Sequence, residues 1–232
     1  ISENNEHTNI SETDIYGYST QGYTKIYVGA SDSKIPDYVE GDVFVLLYKE
    51  FQFDEYISKY NKITIIGMND DAYCHVKENI TLSNKFIGFH NLKFTFTENK
   101  NVTFAGGKSS IIIKKCQFFP KKSEGFFFWD ILNNITGALK KNVITFGKHV
   151  KNINIKNNIF DNFNIIIENN ESDKNDVETS ANTIINNGLA KMNNISQKSS
   201  SNNIKISGSA SIGKISQISK NGTNNIEMSG GT

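Results

Sequence analysis

Two aspartates, Asp130 and Asp161, follow strand candidates in successive units of the chain and could stack on one face. Cleaving a glycosidic bond by general acid and base needs two carboxylates at a defined separation with divergent pKa values, and such a stack would supply them. Isolated aspartates at chain corners are more often turn formers. The run Asp70-Asp71-Ala72-Tyr73-Cys74-His75 gathers two acids, a thiol and an imidazole. An extended loop turns consecutive side chains to opposite sides, so the ligands would not converge as a metal site requires. Glu168, Glu171, Asp173 and Asp176 offer oxygen ligands for calcium, yet without EF-hand spacing they read as a solvated insertion. Gly106-Gly107-Lys108-Ser109 is not a phosphate loop, because Val102 stands where that motif needs its first glycine. No cofactor or metal is therefore expected. Phe126-Phe127-Phe128-Trp129 is the least ordinary segment. Alternate side chains leave a strand on opposite faces, so two of the four must face outward; Phe128 and Trp129 are the candidate ligand platform for a sugar ring or a partner protein.

The elements that would position these residues recur. Short apolar runs return about every 20 to 27 residues: Ile63-Thr64-Ile65-Ile66, Phe86-Ile87-Gly88-Phe89, Ile111-Ile112-Ile113, Ile131-Leu132, Ile153-Asn154-Ile155, Thr183-Ile184-Ile185, Ile204-Lys205-Ile206 and Ile226-Glu227-Met228. Each is bounded by Asn and Gly, β-branched residues dominate, and no long window carries a helical apolar pattern. Val43-Phe44-Val45-Leu46-Leu47-Tyr48 reads as a buried strand, Lys25-Ile26-Tyr27-Val28-Gly29 as a shorter one, and Phe51 to Tyr60 as a short helix or strand.

Within a unit, a strand meets a two-residue polar corner and a second strand begins, as in Ile113-Lys114-Lys115-Cys116-Gln117-Phe118 and Ile155-Lys156-Asn157-Asn158-Ile159-Phe160. Asparagine accepts the left-handed conformation such a corner needs, and stacked asparagines can bond to the asparagine of the next rung. Ile63-Thr64-Ile65-Ile66-Gly67 and the Ile155–Phe160 corner give the chain its resemblance to the right-handed parallel β-helix of the pectate lyase-like superfamily, over roughly residues 25 to 230. That superfamily includes lyases, glycoside hydrolases, esterases, phage tailspikes and bacterial adhesins, so the resemblance implies a fold and leaves function open. A lyase of this kind would carry an Arg or Lys base beside a calcium-binding acidic cluster. The chain has no arginine, which leaves a lysine such as Lys156, alongside Lys114, Lys115 and Lys151 near strand candidates. Lysines on solvated strand faces are ordinary.

Lysine and acid nearly cancel, with a formal net charge of +1, and no basic stripe marks a nucleic-acid partner. No apolar run approaches the roughly 18 residues needed to span a bilayer. Cys74 and Cys116 give neither a disulfide framework nor a metal signature, and at about two periods apart they should not share adjacent rungs. Seven Asn-x-Ser/Thr sequons are no more than this composition produces by chance. The expected architecture is all-β, a single right-handed parallel β-helix over 41–232 behind an N-terminal arm and cap at 1–40. The C-terminal segment offers no amphipathic cover, so either the chain continues or a trimer or end-to-end association shields it. The expected function is a non-catalytic extracellular, cell-surface or virion module (adhesin, appendage or spike) that binds a glycan or partner protein through its lateral face. A small polysaccharide lyase or hydrolase using Asp130, Asp161 and Lys156 is the alternative, and a structural fibre segment is the third.

Overall fold

The computed structural model describes residues 14–19, 23, 25–28, 42–51, 53, 57–97, 99–105, 109–121, 142–147, 149–160, 163–168, 175–179, 183–186, 191–199, 202–207, 211–219, 222 and 224–229. An antiparallel hairpin, β1 (Asp14–Ile15) and β2 (Tyr18–Ser19), precedes the edge strand β3 (Lys25–Val28). The chain then winds. One coil holds β4 (Val43–Leu47), β5 (Glu50–Phe51) and a 3-10 turn at Ile57–Lys59, the segment that read as helix or strand. The next holds β6 (Lys62–Gly67), β7 (Tyr73–Val76) and β8 (Ile80–Leu82). After it come β9 (Phe86–His90), β10 (Lys93–Phe96) and β11 (Asn101–Phe104), then β12 (Ser109–Lys114), β13 (Gln117–Pro120) and β14 (Asn142–Phe146). The last three-strand coil is β15 (Val150–Lys156), β16 (Ile159–Phe160) and β17 (Phe163–Ile167). Beyond it two strands are described in each coil: β18 (Asn175–Thr179) with β19 (Thr183–Asn186), β20 (Lys191–Ser199) with β21 (Asn202–Ser207), and β22 (Ser211–Ser219) with β23 (Asn224–Ser229).

Every pairing between coils is parallel, which makes the chain a parallel β-solenoid. A nine-stranded sheet runs from β3 through β4, β6, β9, β12, β15, β18 and β20 to β22. A five-stranded sheet holds β5, β7, β10, β13 and β16, and a seven-stranded sheet runs from β8 to β23. The described strands of 43–167 fall on three sides, as a prism, and those of 175–229 fall on two. The short links from Thr179 to Thr183 and from Ser199 to Asn202 leave no length for a third strand.

Alternation along each strand builds the core. Val45, Ile65, Phe89, Ile113, Ile155, Val177 and Ile195 stack in register from rung to rung and are buried. On the five-stranded sheet the inward column is Phe51, Cys74, Phe94, Phe118 and Phe160. Phe94 lies parallel to Phe118 with centroids 4.7 Å apart, and Phe118 parallel to Phe160 at 4.5 Å. Phe104 stacks on Phe146 at 5.1 Å across the seven-stranded sheet. The void among Phe53, Phe89, Phe94, Phe118 and their neighbours has a volume of about 10 Å³ and an apolar lining, too small for a ligand.

The corners follow the sequence reading in conformation. Asn91, Lys115 and Asn157 occupy one corner column with φ of 54°, 55° and 55°. Their bonding differs from expectation: corner asparagines bond the backbone of the neighbouring rung. Asn158 Oδ1 accepts from the Cys116 N–H at 2.7 Å and its Nδ2 donates to the Ile113 carbonyl at 2.8 Å. Asn101 donates its N–H to Asn79 Oδ1, and Val143 donates to Asn101 Oδ1. A backbone partner is fixed by the strand register, so it satisfies the buried amide without ordering a second flexible side chain.

The period also differs in detail. The apolar runs at 63–66, 86–89, 111–113 and 153–155 lie on the nine-stranded sheet, but those at 183–185, 204–206 and 226–228 lie on the seven-stranded one. Equivalent positions Ile63, Ile87 and Ile111 are evenly spaced along the chain, whereas the step from Ile111 to Ile153 is much longer. The extra length falls between β13 and β14, joined by a connection several times longer than the one from β10 to β11. Ile131-Leu132 falls in that interval, outside the described residues. Cys74 and Cys116 sit two rungs apart, both buried and not joined in a disulfide.

Candidate functional site

Asp130, Phe128 and Trp129 belong to the long interval after β13, and Asp161 follows β16; all four lie outside the described residues. Lys156 ends β15 and is exposed. The Asp70–His75 run behaves as alternation requires: Cys74 points into the core while Tyr73 and His75 point out, and His75 Nε2 is 3.3 Å from Thr97 Oγ1. Among the described residues no three His, Cys, Asp or Glu side chains converge as a metal site. Cys116 is an inert thiol, pushed up to about 12 by burial.

Three flanks remain to carry chemistry. On the nine-stranded sheet, Phe44, Leu46 and Ile66 face outward and are covered by the N-terminal segment. Tyr18 donates its hydroxyl to the Phe89 carbonyl at 3.2 Å, and Tyr23 packs edge-on to Phe44 at 5.2 Å and bonds Thr64 Oγ1. Gly88 permits this approach: a Cβ there would meet Thr64 Oγ1 at 2.9 Å and the Tyr18 ring at 3.0 Å. The described part of the N-terminal region therefore covers a flank of the solenoid. The seven-stranded sheet presents Thr81, Thr103 and Thr145 in one outward column, followed by Ile166.

The five-stranded sheet is the flank with mixed chemistry. Its outward column reads Glu50, Tyr73, Lys93, Gln117 and Ile159, with His75, Thr95 and Phe119 in the parallel column two residues on. Tyr73 is 36% exposed and donates to Glu50 Oε2 at 3.1 Å. Burial, and then the Glu50 carboxylate, hold its phenol above the ordinary value. Lys93 Nζ bonds the Asp70 carbonyl, which holds the ammonium beside the tyrosine row. Rungs about 4.8 Å apart and alternate residues about 6.7 Å apart make this a flat lattice of donors, acceptors and aromatic surface.

Where this sheet meets the nine-stranded one, a basic corner forms. His90, Lys114 and Lys156 stack in register on successive rungs, and Lys115 occupies the adjoining corner. His90 is only 5% exposed, sandwiched by Tyr16 stacked at 5.0 Å and Tyr18 edge-on at 5.5 Å, and its Nδ1 has no partner. Burial, then Lys115 and Lys114, hold its imidazole below 6.5.

The sequence reading named Lys114, Lys115 and Lys156 singly near strand candidates, but it did not find the Tyr73 lattice or the stacking that joins Lys114 and Lys156 with His90. Neighbours here (Glu50 and Tyr73, Tyr73 and Lys93, Lys93 and Gln117) are separated by a whole coil of chain and become adjacent only when the corners are aligned. The Asn91-Leu92, Lys115-Cys116 and Asn157-Asn158 corners were the available signal. No protein-family model matches the chain, and no curated protein or solved structure matches it.

Proposed function

We propose that this chain is a non-catalytic surface module of the pectate lyase-like type, extracellular or on a virion, that binds a glycan along the outer face of its five-stranded sheet. The observation that carries this reading is the lattice of Glu50, Tyr73, Lys93, Gln117, His75, Thr95 and Phe119, on which no described strand packs. Sugars are recognised by many modest hydrogen bonds together with an apolar ring face packed on an aromatic side chain. Tyr73 and Phe119 lie two rungs and two residues apart, about 12 Å by strand geometry, so they can serve separate residues of an extended oligosaccharide.

Calorimetric titration against a panel of neutral and acidic oligosaccharides tests the proposal, run beside assays for reducing ends and unsaturated sugars with and without calcium. Binding without turnover, weakened at least about tenfold by Tyr73→Ala with Phe119→Ala, is the expected outcome. Turnover abolished by Asp130→Asn with Asp161→Asn, or by Lys156→Gln, would replace the binding module by an enzyme. Binding that ignores Tyr73 and Phe119 would remove this face from the account.

A further inference from the structure

We propose that the corner formed by Lys114, Lys115 and Lys156 is an anion site, which makes the glycan of the preceding reading an acidic one whose carboxylate or sulfate groups dock there. The inference rests on that reading for its polymer and on the corner itself for its charge.

Lys114 and Lys156 are direct neighbours in a parallel ladder, an arrangement of like charges that costs stability unless something offsets it. None of the three lysines forms an ion pair among the described residues, although Lys100 with Glu78 and Lys205 with Glu227 show that this solenoid can pair lysine with acid. Lys114 Nζ rests 5.8 Å from the Tyr18 ring, a weak partner for a full charge. The third lysine is held in a conformation its side chain disfavours. Lys115 has φ of 55° where the rungs below and above place Asn91 and Asn157, residues that tolerate this conformation far better. A lysine in an asparagine corner gives up local stability and gains an ammonium aimed outward, so the departure points to a role in binding.

A second feature points the same way. His90 stands in the same column as Lys114 and Lys156, almost wholly buried, with Nδ1 unpartnered. The positive field of Lys115 and Lys114 already bears on that imidazole. An anion at the corner would offset this field, and among the described residues the rings packed on the imidazole are those of Tyr16 and Tyr18. The corner leads through Cys116 into Gln117 and stands beside Lys93 on the next rung, so a chain lying across the five-stranded face would bring its acidic groups to it. The cluster spans two rungs, about 5 Å, which suits one or two acidic groups more than the evenly spaced phosphates of a nucleic acid.

The test titrates the full chain with dextran sulfate, carboxymethyl dextran and uncharged dextran of equal length, and with a single-stranded oligonucleotide, at matched low ionic strength. The two charged dextrans should bind at least about tenfold tighter than the neutral one. Lys115→Asn with Lys156→Gln should erase that difference, while Lys85→Gln with Lys214→Gln, exposed lysines elsewhere, should not. Lys115→Asn matches the neighbouring corners, so the variant keeps its fold, checked by its thermal transition. Sulfate set against carboxylate separates the two acid types, and saturable binding of either supports the site. Equal binding of charged and neutral dextran overturns the anion site and leaves the glycan reading standing. Binding of none of the glycans overturns both. Tighter binding of the oligonucleotide overturns the choice of partner.

Discussion

The three-sided prism of residues 43–167 and the two-sided stretch of residues 175–229 are wound from the same kind of strand, yet they hold themselves together differently. In the prism, three inward columns meet, and the phenyl rings of Phe89, Phe94, Phe96, Phe104, Phe118, Phe146, Phe160 and Phe163 fill the centre. In the two-sided stretch two columns face each other across a gap that Val177, Ile184, Ile195, Ile204 and Ile206 fill without any ring. Ile226 and Met228 repeat the register of Ile204 and Ile206, but they are 45% and 54% exposed where the others are 0% and 2%. The described inward side chains therefore change from aromatic to aliphatic along the axis. The third sheet does more than widen the core: it creates the corner and the flank on which the candidate chemistry sits.

Truncation of one inward residue in each region gives the largest contrast. Phe118→Ala removes a ring stacked on Phe94 below and Phe160 above, and should cost about 3–5 kcal/mol. Ile204→Ala should cost about 2–3 kcal/mol and act mainly on its own end of the coil, because each rung contacts only its neighbours. Chemical denaturation of both variants checks the ranking, and equal effects would dissolve the distinction between the two cores.

The corner supplies the next effect. Asn158→Ala strands the Cys116 N–H and the Ile113 carbonyl inside the prism, and should destabilise by about 2–3 kcal/mol. Among the described residues no strand after β16 joins the five-stranded sheet, so an asparagine of the two-sided coils should matter less. A survey of Asn-to-Ala variants by thermal unfolding sharpens or breaks that claim.

A smaller effect depends on pH. The folded chain holds His90 below 6.5, through burial first and then Lys115 and Lys114, whereas the unfolded chain protonates it near 6.5. Unfolding then takes up a proton in the window below 6.5, so stability should fall as pH drops through it and level off below the folded value. His90→Gln should flatten that part of the stability profile, measured by thermal unfolding across the same window. The smallest effect has the opposite sign. Lys115→Asn relieves the left-handed backbone strain and should stabilise by up to about 1 kcal/mol, read as a raised thermal midpoint.

Much of the architecture was legible because its rules are local. Alternation in Lys62–Gly67 and Phe86–His90 marks the strands, and Asn157-Asn158 marks a corner by conformational preference alone. The assignment of runs to sheets was not legible, because Ile153–Ile155 and Thr183–Ile185 look alike although they lie on different sheets. Loss of the five-stranded sheet shortens the coil only slightly, as the step from Ile153 to Asn175 against that from Asp176 to Asn194 shows. So small a change is hidden within the looseness of the repeat. The candidate site was invisible for a related reason. Tyr73, Lys93 and Gln117 are each ordinary in isolation, and only the register makes them a surface.

Residue-resolved hydrogen exchange under native conditions tests the two-core account most directly. Amides of 62–67, 86–90 and 109–114 should exchange only through global unfolding, while those of 211–219 and 224–229 should exchange through local opening at far lower free energy. Uniform protection along the whole coil would contradict the account and show that the two-sided stretch is as firmly held as the prism.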